Sequence, residues 1–357
     1  MRLRIVSIKL NPGLTDRTMK TAMKMHLFAL GLALAMVSSI VSAQTPIVIK
    51  FSHVAASDAP KGKAALRFKE LVEQASRHRV QVDVYPNNQL YKESDELEAL
   101  QLGAVQMLAP SLAKLAQFGV PDFEVFDLPY LFANREAVSR VTEGQIGKAL
   151  LKKLESKSMV GLAYWDNGFK IMSANRALKM PADFIGRKMR IHSSRVLDAQ
   201  MDALGAIPQI LDANEVYFAL QSGVVDGTES SPVNFYARKL YEVQSHVTVS
   251  NHGYQGSAVI VNKKFWDGLP FDLRNIIDAA MREATSYGNA LAEQENEAAL
   301  ALIKKSRKVS VHTLSDKENA AWRHALLPVR KELESRIGKA VVMAVAREAE
   351  GRRPGAR

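Results

Sequence analysis

Arg190 is the residue whose type and setting point most directly to chemistry. It stands in Gly186-Arg187-Lys188-Met189-Arg190-Ile191-His192-Ser193-Ser194, a short alternating run after a glycine. Alternation turns Met189 and Ile191 to one side of a strand and Lys188, Arg190 and His192 to the other. A guanidinium held on a rigid strand offers a planar fork of donors that matches a carboxylate bidentately. The same pattern describes an arginine on a solvated sheet face, and these nine residues leave both readings open.

Other chemistries lack their signatures. There is no cysteine, which removes disulfides, thiolate nucleophiles and sulfur-ligated metals. No H-E-x-x-H occurs, and His246 with His252 has neither helical spacing nor a third ligand nearby. Gly147-Lys148 lacks the earlier glycine and the following Ser/Thr of a P-loop, and neither G-x-G-x-x-G nor G-x-S-x-G is present. The expectation is a protein that binds without covalent chemistry, metal or cofactor, and that is not an enzyme.

The elements that must position Arg190 are those of an α/β protein. A chain of 357 residues, 47% hydrophobic and 24% charged, is long enough for two well-buried cores. Ile47 to Phe51 reads as a strand, Asp58-Ala59-Pro60 as a helix start, and Ala65, Phe68, Val72 and Ala75 continue that helix. Val80, Val82 and Val84 alternate as a second strand. Leu97, Leu100 and Gln101 belong to a second helix, and Ala104 to Ala109 form a third strand. This β-α-β-α-β start predicts a parallel, helix-covered sheet.

A second set follows: strands at Met159–Ala163 and Lys188–His192, a helix through Val196, Leu197, Met201 and Leu204, and a short helix from Asn214 to Gln221. Val224 to Gly227 reads as a strand entering a turn, and Ser257 to Val261 as a strand of the first sheet. From Asp272 to about Lys305 the pattern is rich in Ala, Glu and Leu without proline, long enough to span two lobes. His53, Asn87-Asn88, Ser111, Asp166-Asn167 and Asp226 to Ser231 fall just past expected strands, where open α/β sheets bind ligands.

The formal charge of +11 does not make a nucleic-acid binder, because much of it is terminal. Arg2, Arg4, Lys9, Arg17, Lys20 and Lys24 precede the first apolar run. Arg347, Arg352, Arg353 and Arg357 lie in a Gly/Pro-containing end, and 341–357 is expected to be a flexible tail. Leu27 to Val37 followed by Val41-Ser42-Ala43 has the form of a cleavable signal peptide over 1–43, with Met19, Met23 and Met25 as alternative starts.

Several runs together resemble a known family. They are Pro86-Asn87-Asn88-Gln89-Leu90-Tyr91, Leu97-Glu98-Ala99-Leu100-Gln101-Leu102-Gly103-Ala104-Val105-Gln106-Met107, Phe126-Asp127-Leu128-Pro129-Tyr130, the Gly186–Arg190 segment, Gly223-Val224-Val225-Asp226-Gly227 and Asn251-His252-Gly253-Tyr254. In this order they resemble the DctP-type solute-binding proteins of TRAP transporters, in the C4-dicarboxylate branch, from Ile47 to about residue 340.

The resemblance implies a two-lobed periplasmic binding protein, each lobe a helix-covered mixed sheet, joined by crossing strands and a long helix. The lobes are expected at 44–165 with 256–295 and at 166–255 with 296–340. It implies an exported protein that captures a small organic acid, such as malate, succinate or fumarate, for a TRAP membrane permease. The family's carboxylate-binding arginine falls on Arg190, with Lys170 as a second cation and Ser230 and Asn234 orienting the acid. His53, Lys61 and Ser111 are the expected contributions of the first lobe. Ser230 stands where the family commonly has Asn, and Ala213 where it usually has Phe, so the pocket is expected to be enlarged or wetter. A bulkier acid, a sensory adaptor role and a periplasmic enzyme are the alternatives.

Overall fold

Parallel strands buried on both faces need apolar side chains throughout, and the first strands have them. The computed structural model describes residues 45–351; the expected signal peptide, 1–43, and residues 352–357 lie outside the described residues. β1 (Ile47–Ser52) pairs in parallel with β2 (Val80–Tyr85) and with β3 (Met107–Leu108). Ile49, Phe51, Val80, Val82 and Met107 are fully buried beneath the helix Pro60–Ala75. The third strand is shorter than the expected 104–109. Ala104 instead donates its N–H back to Ala99 at the end of the helix Glu96–Gln101, which consumes the first residues in a turn.

The chain continues through β4 (Met159–Phe169), β5 (Ile171–Ala174), β6 (Lys188–Ile191), β7 (Ile207–Ile210), β8 (Gly227–Ser230), β9 (His246–Val249), β10 (Tyr254–Asn262) and β11 (Ser310–Thr313). One sheet has the order β2-β1-β3-β10-β4 and the other β11-β9-β5-β8-β6-β7. Each is mixed: β10 runs antiparallel to β3 and β4, and β5 antiparallel to β8 and β9. These are the two helix-covered lobes of the expected α/β fold.

The chain changes sheets at Lys170, between β4 and β5, and again between β9 and β10. The two crossings touch, because the Lys170 N–H donates to the Gly253 carbonyl at 2.9 Å. A third connection is the 36-residue helix Phe271–Ser306, about 54 Å long at 1.5 Å per residue. It packs on the helix Pro60–Ala75 and β4 in one lobe and on the helix Pro232–Ala237 in the other. Trp165 Nε1 donates to Thr285 Oγ1 at 2.9 Å, and Asn289 Oδ1 accepts the Asp166 N–H at 2.8 Å. Gly168 has φ +86°, and a Cβ there would meet Asn296 Nδ2 at 2.7 Å, so the close approach of helix to strand requires glycine.

Two further expectations are corrected. Val224 to Asp226 form the turn and Gly227 opens β8, the reverse of the expected strand then turn. Gly227 is demanded by packing, since a Cβ there would lie 2.2 Å from the Ser173 carbonyl oxygen. The flexible tail expected from 341 is helical from Lys339 to Ala349, with Val342, Val345 and Ala349 buried against the main core. Val342 and Val345 at helical spacing outweigh the basic and Gly/Pro character of the last residues. Among the described residues no helix is long and apolar enough to cross a membrane.

Candidate functional site

The parallel strands of the first lobe end on one side of their sheet, and the loops that follow carry His53, Asn87, Asn88 and Ser111. From the second lobe, β6 ends with Arg190 and Ile191, followed by His192, and β8 leads into the helix Pro232–Ala237 with Asn234 and then Arg238. A small cavity lies where these ends face each other. Lys61, Glu93 and Ser111 line it from the first lobe, and His192, Asn234 and Arg238 from the second. Asn167, Gln255 and Ser257, on the crossing strands, close its base.

β6 lies inside its sheet, between β8 and β7, and Arg190 is 2% exposed rather than on a solvated face. Its Nε and Nη2 donate to the Leu211 carbonyl at 3.0 and 2.7 Å. Its two Nη atoms each lie 3.4 Å from a ring nitrogen of His192, a residue that lines the cavity. Among the described residues no carboxylate oxygen comes within 4.0 Å of it. Burial lowers its pKa to about 10, against the pull of Glu93, so it remains cationic.

Glu93 ties the lobes together. Its Oε2 accepts the Ala213 N–H at 3.1 Å, and its Oε1 lies 3.6 Å from Lys114 Nζ and 3.7 Å from His192 Nδ1. Burial works to raise its pKa, but His192, Lys114 and Arg190 outweigh that and hold it well below the usual carboxylate range. The His192 ring is lowered to about 4 by burial and by Arg190, so it is neutral at physiological pH. Lys61, which donates to the Ala109 carbonyl at 2.9 Å, is lowered to about 8 by burial. Neighbouring Glu96 is raised to about 8, also by burial.

The structure does not bring all the expected residues to the cavity. Lys61, Ser111 and Asn234 line it. Ala213 is buried and lines an adjoining chamber with Asn87, Asn88 and Tyr217. His53 is 1% exposed, and burial, with Lys61 adding to it, lowers its pKa to about 3. Ser230 is the last residue of β8, opposite Ile171.

Lys170 departs furthest from expectation. Its Nζ lies 2.6 Å from Glu229 Oε1 and 3.9 Å from Asp127 Oδ1, all three residues being buried. Gln200 and His252 complete the shell of Glu229 at 3.0 and 3.1 Å. Burial would raise the Glu229 pKa, but Lys170 and His252 hold it well below the usual range. Lys170 therefore answers a carboxylate of the protein itself, at the crossing between the sheets. Among the charged and titratable cavity residues, Glu93, His192 and Arg238 lie outside the set expected from sequence. His192 shares the strand alternation of Arg190 and was legible; Glu93 and Arg238 sit in loop and helix-end positions with no local signature.

Comparison with known proteins agrees with this architecture. The family model described as bacterial extracellular solute-binding protein, family 7 (DctP), matches residues 51–336. The C4-dicarboxylate-binding periplasmic protein DctP of Rhodobacter capsulatus is 58% identical over 313 residues, covering 88% of this chain and 94% of that protein. A TRAP periplasmic solute-binding protein from Shewanella oneidensis, solved with bound succinate, superposes with a TM-score of 0.83 at 43% identity, covering 85% of this chain and 100% of that one. A counterpart from Pseudomonas aeruginosa PAO1, solved with bound L-malate, has a TM-score of 0.78 at 40% identity, covering 80% and 100%. With the family model spanning most of the chain and two lobes facing a polar, cationic cavity, the protein is a member of the bacterial extracellular solute-binding protein family 7, the DctP family.

Proposed function

We propose that this protein is the exported, periplasmic solute-binding subunit of a TRAP transporter, that it captures a C4-dicarboxylate such as succinate, malate or fumarate, and that it passes the acid to a membrane permease. The observation that carries this reading is Arg190: a buried guanidinium beside the interlobe cavity, hydrogen-bonded to a main-chain carbonyl and not to any described carboxylate. A buried cation with no carboxylate in direct contact is costly, and an incoming carboxylate offsets that cost in the closed cleft. The names of the R. capsulatus relative and of the succinate- and malate-bound structures support the same chemical class.

In this reading Arg190 fixes one carboxylate once the His192 ring turns aside, and Asn234 orients it. Lys61 and Ser111 reach the acid from the first lobe, and Ser111 Oγ is a buried hydroxyl without a partner among the described residues. Lys170 supports the site indirectly, by neutralising Glu229 behind it. The cavity, about 30 Å³, has room for a water or two, so a four-carbon acid enters only when the lobes part. The crossings at Lys170 and at 250–253 are the natural hinge, and the Glu93–Ala213 bond is one contact broken on opening. No covalent step is involved.

A thermal-shift series with mono-, di- and tricarboxylates tests the class. A ligand that binds only the folded protein raises its melting point. Stabilisation by succinate, malate and fumarate is expected; stabilisation by unrelated solutes alone contradicts the reading.

A further inference from the structure

Arg238 is a further cation at the cavity, one that none of the motifs pointed to. It follows the helix Pro232–Ala237 directly, and its N–H bonds the Asn234 carbonyl at 3.1 Å, which fixes its backbone. Its Nη1 donates to the Ala213 carbonyl at 3.0 Å. Among the described residues no carboxylate oxygen lies within 4.0 Å of its guanidinium. Arg238 and Val54 line both the cavity and the adjoining chamber that holds Asn87, Asn88 and Ala213.

Resting on the diacid reading above, we infer that Arg238 binds the second carboxylate of the ligand and is the residue that separates diacids from monoacids. Arg190 and Arg238 stand on the same lobe and both feel the charge of Glu93, whose carboxylate is already engaged by the Ala213 N–H and flanked by Lys114 and His192. Neither guanidinium has a carboxylate oxygen within 4.0 Å among the described residues, whereas Glu93 is already engaged. The two carboxylates of a dianion can meet both arginines, and the single carboxylate of a monoanion only one. Lys61, across the cavity, is a point donor already bonded to the Ala109 carbonyl. Arg238 has Nε and Nη2 without hydrogen-bond partners among the described residues and can present an edge of its fork.

The test compares succinate with butyrate, which keeps the chain length and replaces one carboxylate by a methyl group. Both acids are titrated calorimetrically into wild type, R238Q, R238K, K61M and R190Q, with melting points recorded for each protein. Wild type is expected to prefer succinate. R238Q is expected to lose about ten- to a hundredfold in succinate affinity, the scale of a charge-assisted hydrogen bond, with butyrate changed less than about twofold. R238K should recover part of the loss, and R190Q should weaken both acids. An equal loss of both acids in R238Q, or an intact succinate preference, overturns the inference, as does a preference abolished by K61M and kept by R238Q. A wild type that does not distinguish the two acids refutes the diacid reading itself, and this inference with it.

Discussion

Arg190→Lys separates positive charge from guanidinium geometry. In the wild type Nε and Nη2 hold the Leu211 carbonyl at 3.0 and 2.7 Å, which orients the remaining Nη edge. A lysine ammonium cannot hold Leu211 through two donors and still present a planar pair to a carboxylate. One charge-assisted contact to the ligand, worth about 1.5–3 kcal/mol, is lost, so affinity falls about ten- to more than a hundredfold. Folding suffers less, because the Leu211 carbonyl can still accept from the ammonium. Titration calorimetry with succinate, alongside a melting curve, reads both quantities. If Arg190→Lys binds succinate within about twofold of wild type, bidentate recognition at this residue is refuted.

Two further outcomes follow from the buried charges. Lys170→Met leaves Glu229 without its ion-pair partner in a buried setting, and denaturant unfolding should show a loss of about 3–5 kcal/mol; a loss below about 1 kcal/mol would show that Gln200 and His252 suffice. Glu96→Gln removes a carboxyl whose folded pKa, about 8, is raised by burial above its ordinary value of 4.5. The stability it contributes is fully present below pH 4.5 and is lost as pH rises toward 8, with a slope approaching about 1.4 kcal/mol per pH unit. Unfolding measured from pH 5 to 8 should therefore be flatter in the variant, and parallel curves would refute burial as the cause.

The first lobe was legible because its signals are local. Alternating valines, a proline in the first helical turn and polar residues past each strand predict the parallel β1, β2 and β3 and the edge where Ser111 meets the cavity. The long helix was legible from its uninterrupted Ala/Glu/Leu pattern, and Phe271–Ser306 differs from expectation by a residue at each end. Family resemblance singled out Arg190, which strand alternation alone left undecided. What local pattern could not reveal depends on register and on contacts distant in sequence. Lys170 meets Glu229 because β5 and β8 pair Met172 with Glu229, and Glu93 meets His192 only when the lobes face each other. Gly227 looked like a turn residue, whereas its role is to let β8 approach the Ser173 carbonyl.

A buried, cationic interlobe site that closes on a four-carbon dicarboxylate must bind succinate at one saturable place. Calorimetric titration of the wild-type protein with succinate at low ionic strength tests it most directly. Saturable one-to-one binding is expected, and it is lost in Arg190→Gln while the variant remains folded. Failure of the folded wild type to bind succinate, malate or fumarate, or full binding by Arg190→Gln, would contradict it.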